Sequence, residues 1–295
     1  MLTSSRKTKN VKSEVDAVVS LLQNAKAVVL GVGAGFSASA GLDYNDPDFF
    51  EQDYSEFTQK GYKNINEAIA GNWYLNESSA REYWGFWSSH INNIYYKHNQ
   101  LRSYVDLFHL IKDKNYFIIT TNADGQFYKG LYDTSRIFAM QGTYGKLQCQ
   151  KKCHESVYDN KKMIKTMLEH MDWSHLKVAD FTVPRCPKCG GLLVPNLRID
   201  GNFVEAPHMV NQSKYLEFLN TNSKEELVFI EFGVGFNTPV IIRSPFEQMT
   251  KMLDKASLIR VNLFHPDIKG VESEKAHSIC MDASELIEHL LKSET

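Results

Sequence analysis

Residues 28–42 read VVLGVGAGFSASAGL, an apolar run that passes into four glycines spaced by alanine and serine. This stretch constrains the fold more than any other. The apolar run predicts a short buried strand, Ala27–Gly31, and the small residues after it predict the start of a helix. Between them Gly31, Gly33, Gly35 and Gly41 lack a Cβ, so the loop backbone can come close to a ligand. Free N–H groups and the helix dipole would face that loop and favour a phosphate. The spacing is G-x-G-x-G rather than the dinucleotide fingerprint G-x-G-x-x-G, and that fingerprint has an acidic residue about 20 positions on. Here Asp43, Glu51 and Asp53 follow no apolar strand. Taken alone, the segment also fits a tight strand-to-helix turn that binds nothing.

The rest of the chain alternates in the same way. Helical periodicity through Val15, Val18, Val19, Leu22 and Ala25 predicts a helix over 11–25. Tyr116–Thr120, Arg136–Met140, Leu227–Phe232 and Leu258–Leu263 read as further strands, and 101–113, 245–255 and 283–292 as helices. Strands alternating with helices predict a parallel sheet covered on both faces. Residues 48–98 are rich in aromatics (Trp73, Tyr83, Trp84, Phe86, Trp87, Tyr95 and Tyr96) without β-like alternation, and predict two or three helices. For most of these rings helix packing is the expected task. The reading is an α/β protein, a Rossmann-like doubly wound sheet with a smaller zinc-ribbon and helical domain inserted. The nucleotide-binding domain would comprise 1–47, 99–143 and 196–295, and the small domain 48–98 and 144–195.

Four of the five cysteines fall in two close pairs, Cys149 with Cys153 and Cys186 with Cys189. Two such knuckles can aim four thiolates at one ion, the arrangement of a structural zinc with no open coordination position. Gly190 and Gly191 suit the sharp turn of the second knuckle. His154 is a competing ligand, although four thiolates suffice. Redox pairs are the alternative, disfavoured in a reducing compartment. Cys280 stands alone and is expected to be buried as a small hydrophobe.

The 295 residues carry a net charge of −2, which gives no electrostatic case for a nucleic-acid or membrane partner. Arg6, Lys7, Lys9 and Lys12 read as a solvated tail. No apolar run approaches the about 18 residues of a membrane span, and no signal-peptide pattern follows Met1, so the expected compartment is the cytoplasm.

In order along nearly the whole length, these pieces resemble a sirtuin. Residues 33–42, Gly-Ala-Gly-Phe-Ser-Ala-Ser-Ala-Gly-Leu, are similar to the family's G-A-G-x-S-x-x-x-G-I cofactor loop. Thr120-Thr121-Asn122-Ala123-Asp124 is similar to T-Q-N-x-D, with Thr121 in place of glutamine. Gln141-Gly142-Thr143 falls where the family has H-G-S or H-G-N. The cysteine pairs follow, Gly233-Val234-Gly235-Phe236 stands in for the G-T-S loop, and Val261-Asn262 ends the late strand near the adenosine. The resemblance implies NAD and zinc as cofactors. It places Gly33, Ala34, Gly35, Ser37, Asp43, Gly233 and Gly235 at the dinucleotide. By the same resemblance Asn122 lies at the nicotinamide ribose, Asp124 at the carboxamide and Asn262 at the adenosine.

The departures narrow the activity. Gln141 replaces the family's catalytic histidine, and a carboxamide has no titratable proton near neutral pH. A general base worth about 10²–10⁴ in rate is therefore missing from the deacylation route. Cleaving the nicotinamide bond needs no such base. Asp43-Tyr44-Asn45 replaces P-D-F-R, and Leu197-Arg198-Ile199-Asp200-Gly201-Asn202-Phe203 replaces V-F-F-G-E, so the acyl-lysine tunnel is expected to be altered. With the G-V-G-F-N-T-P loop these features resemble the microbial class M sirtuins, linked to macrodomain proteins. That likeness implies an NAD-dependent protein mono-ADP-ribosyltransferase with Asn122, Asp124 and Gln141 as its catalytic residues. It further implies a protein acceptor like the lipoylated glycine-cleavage H-like carrier, and a macrodomain hydrolase as functional partner. A deacylase working without its histidine, an NAD hydrolase and a non-catalytic NAD sensor are the rival readings.

Overall fold

The computed structural model describes residues 2–293, with side chains from Lys12 onward. Of the N-terminal basic cluster, Arg6, Lys7 and Lys9 therefore lie outside the described side chains. The framework is a six-stranded parallel sheet formed by β1 (Ala27–Val32), β2 (Tyr116–Thr120), β3 (Ile137–Ala139), β9 (Leu227–Phe232), β10 (Ala256–Val261) and β11 (Ala276–Ile279). Strand order is β11-β10-β9-β1-β2-β3. The order reverses between β9 and β1, and in such sheets ligands bind outside the carboxyl ends of the strands at that point.

Strand alternation divides the sheet into two faces. Val28, Leu30 and Val32 point into one core with α1 (Leu2–Asn24), α6 (Arg102–Ile111) and α10 (Ala283–Ser293). Ala27 and Val29 point into the other, against α8 (Ala206–Asn222) and α9 (Arg243–Met252). Gly31 belongs to this second face, where a Cβ would overlap Phe246 at 2.8 Å. The glycine in mid-strand lets α9 lie close to β1.

A second assembly packs a core of its own from residues 42–101 and 144–197. Its helices are α3 (Pro47–Asp53), α4 (Ile65–Gly71), α5 (Ala80–Ile91) and α7 (Lys161–Glu169). A three-stranded antiparallel sheet contains β4 (Gly142–Cys149), β5 (Val157–Asp159) and β8 (Leu193–Leu197), and a ribbon pairs β6 (Met171–Asp172) with β7 (Lys177–Val178). Trp84, Phe86, Trp87 and Tyr83 are all buried, so these aromatics are helix packing.

Two features depart from expectation. The strand read as Leu258–Leu263 runs Ala256–Val261, because the Asn262 side chain captures the amides of Phe264 and His265 at 3.0 and 2.9 Å and turns the chain out of the sheet. Cys280 is exposed, not buried. It follows the edge strand β11, where no further strand covers it, and its thiol donates only to the Leu263 carbonyl at 3.5 Å.

The sheet interior holds one ion-pair network. Arg260 on β10 donates to both oxygens of Glu231 on β9, at 2.7 and 2.9 Å, and to Glu247 on α9 at 2.8 Å. Both members of the first pair are fully buried. Removing one partner strands a charge in a dry interior, which costs about 3–5 kcal/mol, whereas replacing both costs far less. Arg260→Leu should therefore lower the urea midpoint sharply, and the double variant with Glu231→Leu should recover much of it. An Arg260→Leu midpoint equal to wild type would contradict this account.

Candidate functional site

The loops after β1 and β9 meet at the switch point by packing backbone on backbone. Gly33 donates to the Phe232 carbonyl and Gly35 to that of Gly233, both at 3.0 Å. A Cβ on Gly33 would lie 2.8 Å from the Gly233 oxygen, and one on Gly35 2.9 Å from the Gly233 Cα. Gly233 itself has φ +61°, a conformation side-chain-bearing residues rarely adopt. These three glycines are thus needed for the two loops to touch. Gly235 differs, since a Cβ there would meet nothing within 4 Å.

Beside this junction lies a cleft of about 400 Å³ whose walls include Ala34, Gly35, Ser37, Asp43, Asn122 and Asp124. Asp124 is the hub. Its Oδ2 accepts from Ser37 Oγ at 2.6 Å and from the Tyr104 hydroxyl at 3.0 Å, and its Oδ1 accepts from the Gln126 amide at 2.9 Å. Burial pushes the carboxyl above the usual carboxylate range, and the three donors pull it back. A carboxylate offers about four acceptor positions, so one remains for a ligand N–H. Asn122 donates from Nδ2 to the Gly33 carbonyl at 3.0 Å and to Tyr104 at 3.3 Å. Tyr104 therefore joins both polar residues to α6, with its ring against Phe36 at 4.7 Å. Sequence reasoning placed Tyr104 only in a helix. Its signal, a hydroxyl in the first turn of an apolar helix, is too common to single it out.

The lining also carries two phenols, Tyr44 and Tyr144. The Tyr44 and Tyr144 hydroxyls lie 3.5 Å apart, and both rings pack edge-on against His90. Burial holds the Tyr144 phenol up at about 12 and the His90 imidazole down at about 3, so both are neutral at neutral pH. None of these groups is a base under those conditions.

Other sequence-predicted residues stand as follows. Gln141 is half-buried in the turn between β3 and β4, at the same carboxyl edge of the sheet. Its carbonyl accepts from the Arg198 amide at 3.1 Å, and its side-chain amide bonds to no described residue. Asp43 folds back on the Asn45 amide at 2.9 Å. The Asn262 side chain holds loop structure, its Nδ2 donating to the Val234 carbonyl at 3.0 Å and its Oδ1 accepting the Phe264 and His265 amides.

The four paired cysteines converge, their sulfurs all within 4.8 Å of one another. Cys149 and Cys189 approach to 3.7 Å, as do Cys153 and Cys186. A zinc–sulfur bond of about 2.3 Å gives a tetrahedron edge of about 3.8 Å, so the donor set fits zinc. Gly190, at φ +71°, makes the second knuckle's turn. His154 Nδ1 lies 3.0 Å from Cys153 but 4.0 Å from Cys186, beside the thiolate cluster rather than within it.

No family model matches the chain. It is 30% identical over 289 residues to a protein ADP-ribosyltransferase of Staphylococcus aureus (strain Mu50 / ATCC 700699), covering 96% of this chain and 88% of that one. A probable bifunctional ADP-ribose hydrolase/ADP-ribosyltransferase of Fusarium oxysporum f. sp. cubense is 28% identical over 249 residues, which span 82% of this chain and 41% of that relative. Among solved structures, Sir2Tm bound to a propionylated peptide superposes with a TM-score of 0.60 at 17% identity, over 95% of this chain and 98% of the other. A Sir2–p53 peptide–NAD+ complex gives 0.52 at 17%, over 94% and 97%. No helix among the described residues is long and apolar enough to cross a membrane.

Closed thiolate sites couple metal to folding. Cys186→Ser should lose bound zinc and lower the melting temperature together, measured by elemental analysis and calorimetry. Full zinc content in that variant would overturn the ligand set. With the parallel sheet, the cysteine cluster and similarity that runs nearly end to end, the chain belongs to the protein ADP-ribosyltransferases built on the sirtuin fold.

Proposed function

We propose that the protein cleaves nicotinamide from NAD and transfers the ADP-ribosyl group to a protein acceptor, with the cleft beside the glycine junction as the site. The observation that carries this reading is the pairing of an intact polar centre, Asn122 and Asp124 held by Ser37 and Tyr104, with Gln141 in place of a base. Asn122 positions the nicotinamide ribose and Asp124 receives the carboxamide in its remaining acceptor position. Gln141, with its amide uncommitted, hydrogen-bonds a ribose hydroxyl. Ala34, Asp43 and Gly235 lie with the glycine junction along the phosphates, and Asn262 fixes the loop near the adenosine. Residues 1–47, 99–143 and 196–295 form the nucleotide-binding unit, and 48–98 with 144–195 the smaller zinc-binding unit.

The chemistry follows from that residue set. Departure of nicotinamide requires the ribose to be held and positive charge at its anomeric carbon to be tolerated. A neutral wall of Tyr44 and Tyr144 beside the buried Asp124 carboxylate suits both needs. The deacylase route needs a base to deprotonate a ribose hydroxyl, and neither a carboxamide nor phenols and an imidazole shifted by burial supply one. The acceptor is proposed to be a lipoylated carrier protein of the glycine-cleavage H type, on family likeness. A macrodomain ADP-ribose hydrolase is the proposed functional partner. The Fusarium relative's name, which couples hydrolase and transferase, supports that pairing.

Gln141 separates the readings. Loss of one neutral hydrogen bond costs about 0.5–1.5 kcal/mol, so Gln141→Ala should slow transfer by roughly 2- to 13-fold. Gln141→His restores an imidazole of similar reach, yet the segment 197–203 should still exclude acetyl-lysine, and deacetylation should stay near background. An efficient deacetylase from that single substitution would show a sirtuin lacking only its base, not a transferase.

A further inference from the structure

α5 runs into a single π-turn, Asn92–Tyr96, closed by the Lys97 amide donating to the Asn92 carbonyl at 2.7 Å. Such turns are uncommon and recur at functional sites. This one carries a half-buried ring into the loops that support the cleft. A Cβ on Gly145 would lie 2.5 Å from Tyr95 Cζ, and one on Gly125 would overlap the same ring. The Tyr95 ring therefore fills the space that two glycines leave open. Gly125 follows Asp124 directly, and Gly145 follows Tyr144 within β4. Glycine inside a strand weakens it, so β4 gives up stability to admit the ring.

The π-turn is tied to both loops. Lys129, on the chain that leaves Asp124, donates from Nζ to the Tyr95 carbonyl at 2.8 Å and to that of His98. Tyr96 donates to Asn160 Oδ1, and the fully buried Asn160 donates in turn from Nδ2 to the Tyr144 carbonyl at 2.7 Å. The loops themselves meet where the Tyr144 amide donates to the Ala123 carbonyl at 3.0 Å. A hydrogen bond tolerates a range of angles, whereas a flat ring packed between Gly125 and Gly145 fixes one.

We propose that Tyr95 is a positioning residue for the transfer reaction: its ring, wedged between Gly125 and Gly145, sets the separation of Asp124 from Tyr144 and, along β4, from Gln141. The inference rests on the transferase reading above and adds a residue that does not itself line the cleft. Asp124 and Tyr144 both line it, so their separation is a dimension of the site. A misplacement of about 1 Å in such a site costs on the order of 100-fold in rate. NAD would still be held at the glycine junction, so the loss falls on kcat rather than on binding.

The test compares nicotinamide release by wild type, Tyr95→Phe, Tyr95→Ala and Gly145→Ala, with NAD titrated by calorimetry and melting temperature recorded for each. Tyr95→Ala should lower kcat by roughly 10- to 100-fold while Kd changes about three-fold or less. Tyr95→Phe keeps the wedge and should hold kcat within about three-fold of wild type. Gly145→Ala displaces the ring from the strand side and should also lower kcat, and it carries the test where Tyr95→Ala melts below the assay temperature. Phe57→Ala, which empties the same small core at its contact with Phe86, should lower the melting temperature and leave kcat per folded protein unchanged. A wild-type kcat in either Tyr95→Ala or Gly145→Ala, a loss that Tyr95→Phe shares in full, a Kd change as large as the kcat loss, or an equal kcat loss in Phe57→Ala would overturn the positioning role alone. Wild type that releases no nicotinamide would overturn the transferase reading and this inference with it.

Discussion

Backbone packs directly on backbone where Gly33 and Gly35 meet Gly233, and the geometry of the cleft depends on that contact. Each of the two loops leaves the sheet at the point where strand order reverses, and neither could approach the other with a Cβ in the way. The junction sets the height of the first turn of α2 (Ala34–Ser39), which carries Ser37. Ser37 then reaches Asp124 at the end of β2, and Tyr104 closes the network from α6. One close approach therefore positions three elements of chain around a single buried carboxylate.

The zinc module bears on the same site through β4. This strand begins next to Gln141 and ends at Cys149, so the metal cluster anchors one end of a strand whose other end presents the uncommitted amide. β4 pairs with β8 from Gly142 opposite Leu197 to Cys149 opposite Leu193, and both knuckles grip that pair at its far end. A structural metal here does no chemistry on the substrate. It limits the freedom of Gln141 and of the 197–203 segment, where the sequence departs most from the deacylases it resembles. The polar groups of the cleft are amides, phenols and two carboxylates: Asp43, turned onto the Asn45 amide, and Asp124, which three donors hold and which keeps one acceptor position.

Much of this was legible in the sequence. The buried strands showed as apolar runs, the zinc ligands as paired cysteines, and Asn122 and Asp124 through the resemblance of Thr120–Asp124 to the sirtuin T-Q-N-x-D segment. Three things were not legible. β11, Ala-His-Ser-Ile, is a half-exposed edge strand with too little apolar content to announce itself. α8 follows the altered 197–203 segment, and its apolar positions Met209, Tyr215, Phe218 and Leu219 form a narrow stripe that only the sheet's second face makes into a helix surface. The glycines were read as room for a ligand, whereas Gly33, Gly35 and Gly233 make room first for each other. Long-range contacts of this kind depend on which loops the strand order brings together, and no local window contains that information.

The central claim is that the sugar freed from nicotinamide ends on a protein. The direct measurement follows NAD labelled in its adenylate, with the candidate carrier protein as acceptor, and counts nicotinamide released and label bound to protein in the same reaction. The account predicts that the two rise together, one protein-bound ADP-ribose for each nicotinamide, and that both vanish in Asn122→Ala. Nicotinamide release matched by free ADP-ribose, with no label on any protein, would contradict it.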